Sequence, residues 1–264
     1  MFNLNHIDYI ETKLKKPIAN KGIIEIGVNF NDYFSFNDAN KYASLYAENF
    51  VRKATTDKSR QEKSSKDSIL GKLVEEVIIY LLGSFFKVNK RDFTITNNKT
   101  ENEIVEDIIY SLCIERKNTG HIKNFDTDII IYNNKNINTT RKVFILSAKG
   151  TTRERIGQFL SHLFLMDQDV LNAKYGKNKY EVIFEKENIK LKYAFVTLDW
   201  AAGKDFIKYT KTGKERNSVK ETEVQLILDD KKLGGGIYVL NNNENFDGIG
   251  NFTTLAGTIC DYLK

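Results

Sequence analysis

The run Asp126-Thr127-Asp128-Ile129-Ile130-Ile131-Tyr132, an Asn-rich stretch, and then Val143-Phe144-Ile145-Leu146-Ser147-Ala148-Lys149 decide how the fold is read. Two short runs rich in β-branched and aromatic residues, parted by turn formers, predict paired strands joined by a hairpin. Side chains alternate faces along a strand, so Ser147 and Lys149 point the same way, as do Asp126 and Asp128. A lysine near the end of an otherwise apolar strand is out of place in a core. With the hairpin in register, an acidic group and a lysine converge at one end of the sheet.

Outward from the hairpin, apolar residues at Ile69, Leu73, Val77, Tyr80 and Leu81 recur in steps of three and four and predict a helix over Ile69 to Leu82, with Asp67 or Ser68 as N-cap. A strand is expected over Phe93 to Thr96 and a helix over Glu103 to Ile114. Beyond the hairpin, a helix starting at Thr151 or Thr152 would place Ile156, Phe159, Leu160 and Leu163 on one face. The runs Tyr193 to Leu198 and Ile237 to Leu240 read as strands, and Phe252 to Tyr262 as a closing helix. Gly234-Gly235-Gly236 lacks the Lys-Ser/Thr ending of a phosphate loop and reads as a flexible turn. Helices alternating with strands predict an α/β fold, a mixed central β-sheet flanked by helices, in a single domain over residues 1–264.

A chain of 264 residues can bury its own core without disulfides. Its two cysteines, Cys113 and Cys260, have no zinc-ligand spacing and read as reduced, buried thiols. A net charge of +5 suits a polyanionic partner without establishing one. The basic run over residues 52 to 68 and the segment Lys208 to Lys214 read as a solvated surface or as DNA-facing loops. The opening Met1-Phe2-Asn3-Leu4-Asn5-His6 lacks a basic stretch followed by an apolar one, and Val77 to Phe86 is too short to span a bilayer of roughly 20 residues. A cytoplasmic protein with no membrane role is expected.

An acidic group beside a lysine is what phosphodiester hydrolysis needs: a carboxylate to hold Mg2+ and an ammonium to stabilise developing charge. The plain alternative is a surface salt bridge between Asp128 and Lys149. The run from Asp128 through Ser147-Ala148-Lys149 to Arg153-Glu154-Arg155 resembles the PD-(D/E)xK nuclease superfamily. It is most similar to restriction endonucleases in which a Ser-x-Lys strand is followed by an Arg-Glu-Arg triplet. The resemblance implies a restriction-endonuclease-like core and Mg2+-dependent double-strand cleavage of DNA at sites with CC and GG elements. Lys149 would be catalytic, with Ser147 beside it, and Asp128 would be a metal ligand. Arg153, Glu154 and Arg155 would read bases, arginine through guanine O6 and N7 and glutamate through cytosine N4. Glu154 equally completes a capping box with Thr151.

The pattern departs from the family in two places. Ser147 stands where the superfamily usually has an acidic residue, and His162 stands thirteen residues after Lys149, where related enzymes carry a displaced glutamate. Arg155, Gln158 and His162 share the helix face opposite Ile156, Phe159 and Leu163, so Gln158 is a candidate DNA contact and His162 a candidate metal ligand or surface residue. The second carboxylate is sought on the early helix, where Gly71-Lys72-Leu73-Val74-Glu75-Glu76 resembles the superfamily's Gly-x-x-apolar-Glu pattern. Glu75 matches by pattern, whereas Glu76 lies nearer the Ile69, Leu73 and Val77 face. Two-fold DNA sites imply a homodimer, and the family implies a cognate DNA methyltransferase as partner. Two rivals stay open: a nuclease of the same fold that recognises DNA structure, and a non-catalytic DNA-binding protein on a decayed nuclease fold.

Overall fold

The computed structural model describes residues 74, 75, 78, 79, 81–83, 85, 86, 89–97, 99–125, 127–135, 140–149, 156–186, 189–197, 226–230, 232–239 and 248–264, and the structural statements here concern those residues. Helical positions among residues 74–86 are followed in chain order by β1 (Phe93–Thr96), α1 (Glu103–Ser111), β2 (Cys113–Arg116), β3 (His121–Asn124), β4 (Ile129–Asn133) and β5 (Arg141–Lys149). Then come α2 (Ile156–Leu165), α3 (Gln168–Tyr175), β6 (Tyr180–Val182), α4 (Ile183–Lys186), β7 (Ile189–Thr197), β8 (Gly234–Val239), β9 (Ile249–Gly250) and α5 (Phe252–Leu263).

The predicted hairpin forms. β4 and β5 pair antiparallel, Ile129 opposite Leu146 and Tyr132 opposite Val143. They sit inside a six-stranded sheet of order β1-β4-β5-β7-β8-β9, in which β1 is also antiparallel and β7, β8 and β9 are parallel. Parallel strands covered on both faces need apolar residues at successive positions, and Val143 to Leu146 and Tyr193 to Val196 are all buried. The two faces separate by alternation. Ile129, Ile131, Phe144, Leu146, Ala148, Ala194 and Val196 pack with α5 and with Val74, Ile78, Leu81, Leu82 and Phe85 of the early helical segment. Ile130, Tyr132, Val143, Ile145, Tyr193 and Phe195 pack with α1 and α2. The result is the expected α/β architecture, a mixed sheet with helices on both sides.

Several boundaries move. The helix expected to Ile114 ends at Ser111, because Cys113 and Ile114 enter β2, where Ile114 pairs with Lys123 of β3 and Val182 of β6 in a second, three-stranded sheet. Long-range pairing overrides local helical pattern there. β7 and β8 start earlier than read, at Ile189 and Gly234. The triple glycine is strand rather than turn, and a Cβ on Gly235 would meet Ala194 Cβ and the Phe144 ring at 3.0 Å, so the missing side chain lets β8 close on its neighbours. The early helical segment continues past Leu82 through positions 83, 85 and 86. α5 forms as expected, with Asn251 and Thr254 in a reciprocal cap. Both cysteines are free and buried. Among the described residues, no helix is long and apolar enough to cross a membrane.

Candidate active site at the end of the central sheet

One step beyond the Ile129–Leu146 pair, Asp128 stands at the open end of β4, level with Ser147 on β5. There its Oδ2 accepts from the Ala148 backbone N–H at 2.8 Å and from the Ser147 hydroxyl at 3.4 Å. Lys149 Nζ lies 2.8 Å from the same oxygen. Three donors converging on one carboxylate oxygen fix its plane. The lysine and aspartate side chains are only 18% and 10% exposed, so the pair read as a possible surface salt bridge is a largely buried one. Removing one partner of such a pair costs about 3–5 kcal/mol, because the other charge stays in place without compensation.

The third charged group reaches the same end of the sheet from the opposite layer. Counting back from Ile79, Leu82 and Phe86, all buried, Glu75 lies on the packed side of its helix and not opposite it, as the Ile69, Leu73 and Val77 pattern had suggested. Its Oε2 accepts from Asn97 Nδ2 at 3.2 Å. Burial, and next the negative charge of Asp128, push the Glu75 carboxyl from 4.5 up to about 7, against the opposing pull of the Asn97 amide, Lys149 and Lys99. A carboxylate whose ionisation is opposed by a neighbouring carboxylate, with an ammonium near both, is an arrangement that a divalent cation would relieve.

The remaining candidates are placed unevenly. Ser147 is buried beside Asp128. Gln158 and His162 are half-buried on α2, where Ile156, Phe159, Leu160 and Leu163 form the buried face as expected. The His162 ring packs edge-on to Phe125 at 6.1 Å. Asp126, Glu76, the Arg153-Glu154-Arg155 triplet with its Thr151 cap, the basic run 52–68 and the segment 208–214 lie outside the described residues. Among those described, no group of three or more His, Cys, Asp or Glu side chains is placed to hold a metal. Two features had no signal in the sequence. One is Asn97, whose amide meets Glu75 across the layers; the other is Thr127, whose buried hydroxyl next to Asp128 has no hydrogen-bond partner.

Comparison with known proteins gives one family and no close curated relative. No curated protein matches the chain. The sequence profile of the BsaWI restriction endonuclease type 2 family matches residues 101–256, more than half of the 264 residues and a span that includes Asp128, Lys149 and all but the first strand of the central sheet. The chain therefore belongs to the BsaWI family of type II restriction endonucleases, nucleases that act on DNA.

Proposed function

We propose that this protein is a Mg2+-dependent type II restriction endonuclease that makes sequence-specific double-strand cuts, with Asp128, Lys149 and Glu75 as its cleavage centre. The observation that carries the reading is the Lys149–Asp128 pair at 2.8 Å with the Glu75 carboxylate coupled to it electrostatically. The donors suit magnesium, which prefers hard oxygen ligands and is commonly held by one or two carboxylates with waters. Asp128 and Glu75 would hold the ion. Bound there, it supplies Lewis acidity toward the phosphodiester and toward water.

The chain's own groups supply the rest. Lys149 offers ammonium N–H groups where charge develops on the phosphate, from a position fixed by β5. The Ala148 N–H and Ser147 hydroxyl hold Asp128 in one orientation, so the carboxylate need not reorganise during reaction. Glu75 must lose its proton to serve as ligand, so cation binding strengthens as pH rises. Glu75 is preferred to His162, because the Glu75 carboxyl is coupled electrostatically to Asp128 and Lys149. Glu76 is the neighbouring alternative. Arg153, Glu154 and Arg155 read C:G pairs in a site with CC and GG elements, Gln158 adds a DNA contact, and a cytoplasmic homodimer cuts both strands while a cognate methyltransferase protects host DNA.

The test is incubation of the purified protein with phage DNA and Mg2+. Discrete fragments whose ends share one sequence are expected, and mapping them gives the site and overhang. Random degradation would point to a structure-directed nuclease, and binding without cleavage to a protein that has lost the chemistry.

A further inference from the structure

Glu75 and Asp128 come from different layers, and something must aim the former at the latter. The contacts of Val74, Ile78, Leu81 and Leu82 with the sheet fix where the helix sits. They do not fix a carboxylate at the end of a three-bond side chain, whose ordering costs up to about 2 kcal/mol of rotamer entropy. Among the described residues, the carboxylate itself accepts a 3.2 Å hydrogen bond from Asn97 Nδ2 at Oε2. Asn97 directly follows β1, whose Thr96 pairs with Ile130 of β4, so the next position stands level with Ile129, beside Asp128. The amide is therefore anchored to the strand that carries the first carboxylate and reaches across to the second. Being neutral, it orients Glu75 without adding a charge that would repel a cation, as a lysine in its place would.

We infer that Asn97 is a positioning residue for the metal site, a donor that locks Glu75 Oε2 and thereby presents the carboxylate to a divalent cation shared with Asp128. The inference rests on the proposed role of Glu75. Loss of a hydrogen-bonding partner behind a metal ligand typically costs about 10- to 100-fold in metal affinity, and the lower end suits an exposed amide.

The experiment is titration of the full-length protein with Mn2+, following free Mn2+ by its electron paramagnetic resonance signal, for wild type, Asn97→Ala, Asn97→Gln and Glu75→Gln. Glu75→Gln should lose most of the affinity, Asn97→Ala should weaken it about tenfold, and Asn97→Gln, which keeps the amide donor on a longer arm, should recover part of that loss. Melting curves in EDTA should be alike for wild type and both Asn97 variants. Wild-type Mn2+ affinity in Asn97→Ala, or Asn97→Gln no better than Ala, overturns the positioning role while leaving Glu75 as a ligand. Unchanged affinity in Glu75→Gln overturns the ligand assignment itself, and the role of Asn97 with it.

Discussion

Asp128 and Lys149 ride on adjacent strands of one hairpin, whereas Glu75 comes from a helix on the sheet's face, and the two regions are held by different physics. The strand pair inherits its geometry from the ladder: once Ile129 is opposite Leu146, the Asp128 carboxylate falls against the Ala148 N–H and the Lys149 ammonium. Glu75 has no ladder. Its helix docks by apolar contacts, its carboxylate is aimed by an amide, and burial with a like charge nearby opposes its ionisation. The two carboxylates should therefore fail in opposite ways. Breaking the strand pair should cost stability and chemistry together, while neutralising Glu75 should cost metal binding and relieve the metal-free protein.

The largest effect is expected from Asp128→Asn. It removes the proposed metal ligand and leaves the Lys149 ammonium without its carboxylate, so single-turnover cleavage should fall at least about a thousandfold, and urea unfolding of the metal-free protein should register about 3 kcal/mol of lost stability. Retained stability would mean that the pair is solvated in solution.

Glu75 gives the converse signature. Its folded pKa lies above the ordinary value, so the folded state holds a proton that the unfolded chain gives up from about pH 4.5. The favourable contribution is whole below that pH and is lost as pH rises to about 7. Metal-free wild type should therefore lose on the order of 3 kcal/mol across this window from this group, and Glu75→Gln should flatten that part of the slope. A wild-type slope surviving in Glu75→Gln would assign it to another group. The smallest effect is a control distant from both regions: Asn251→Ala removes the cap of α5 and should cost about 1 kcal/mol in chemical unfolding without altering the proposed Mg2+ requirement.

The same contrast explains what could be read in advance. The hairpin was legible because Ile129 to Tyr132 and Val143 to Leu146 are apolar runs with a turn between them, and Lys149 because an ammonium ending such a run has no place in a core. α2 was legible in its interior from the spacing of Ile156, Phe159, Leu160 and Leu163. The choice between Glu75 and Glu76 was not, because Leu70, Leu73, Val74, Val77, Ile78, Ile79, Leu81 and Leu82 are apolar on too many sides of a helix to single out one buried face. The three-stranded sheet escaped for a related reason. β2, β3 and β6 are short, β2 carries Glu115 and Arg116, and its pairing with β6 joins segments far apart in sequence. Asn97 left no pattern at all, since a single amide reaching between layers is set by the assembled fold.

Lys149 is proposed to serve the chemistry of a site whose DNA is held by other residues. The most direct test compares wild type and Lys149→Ala on one duplex carrying the mapped site, with cleavage measured in Mg2+ and binding measured in Ca2+. Cleavage should fall by about two to three orders of magnitude while the dissociation constant changes little. Cleavage retained in Lys149→Ala, or lost only in proportion to lost binding, would contradict it.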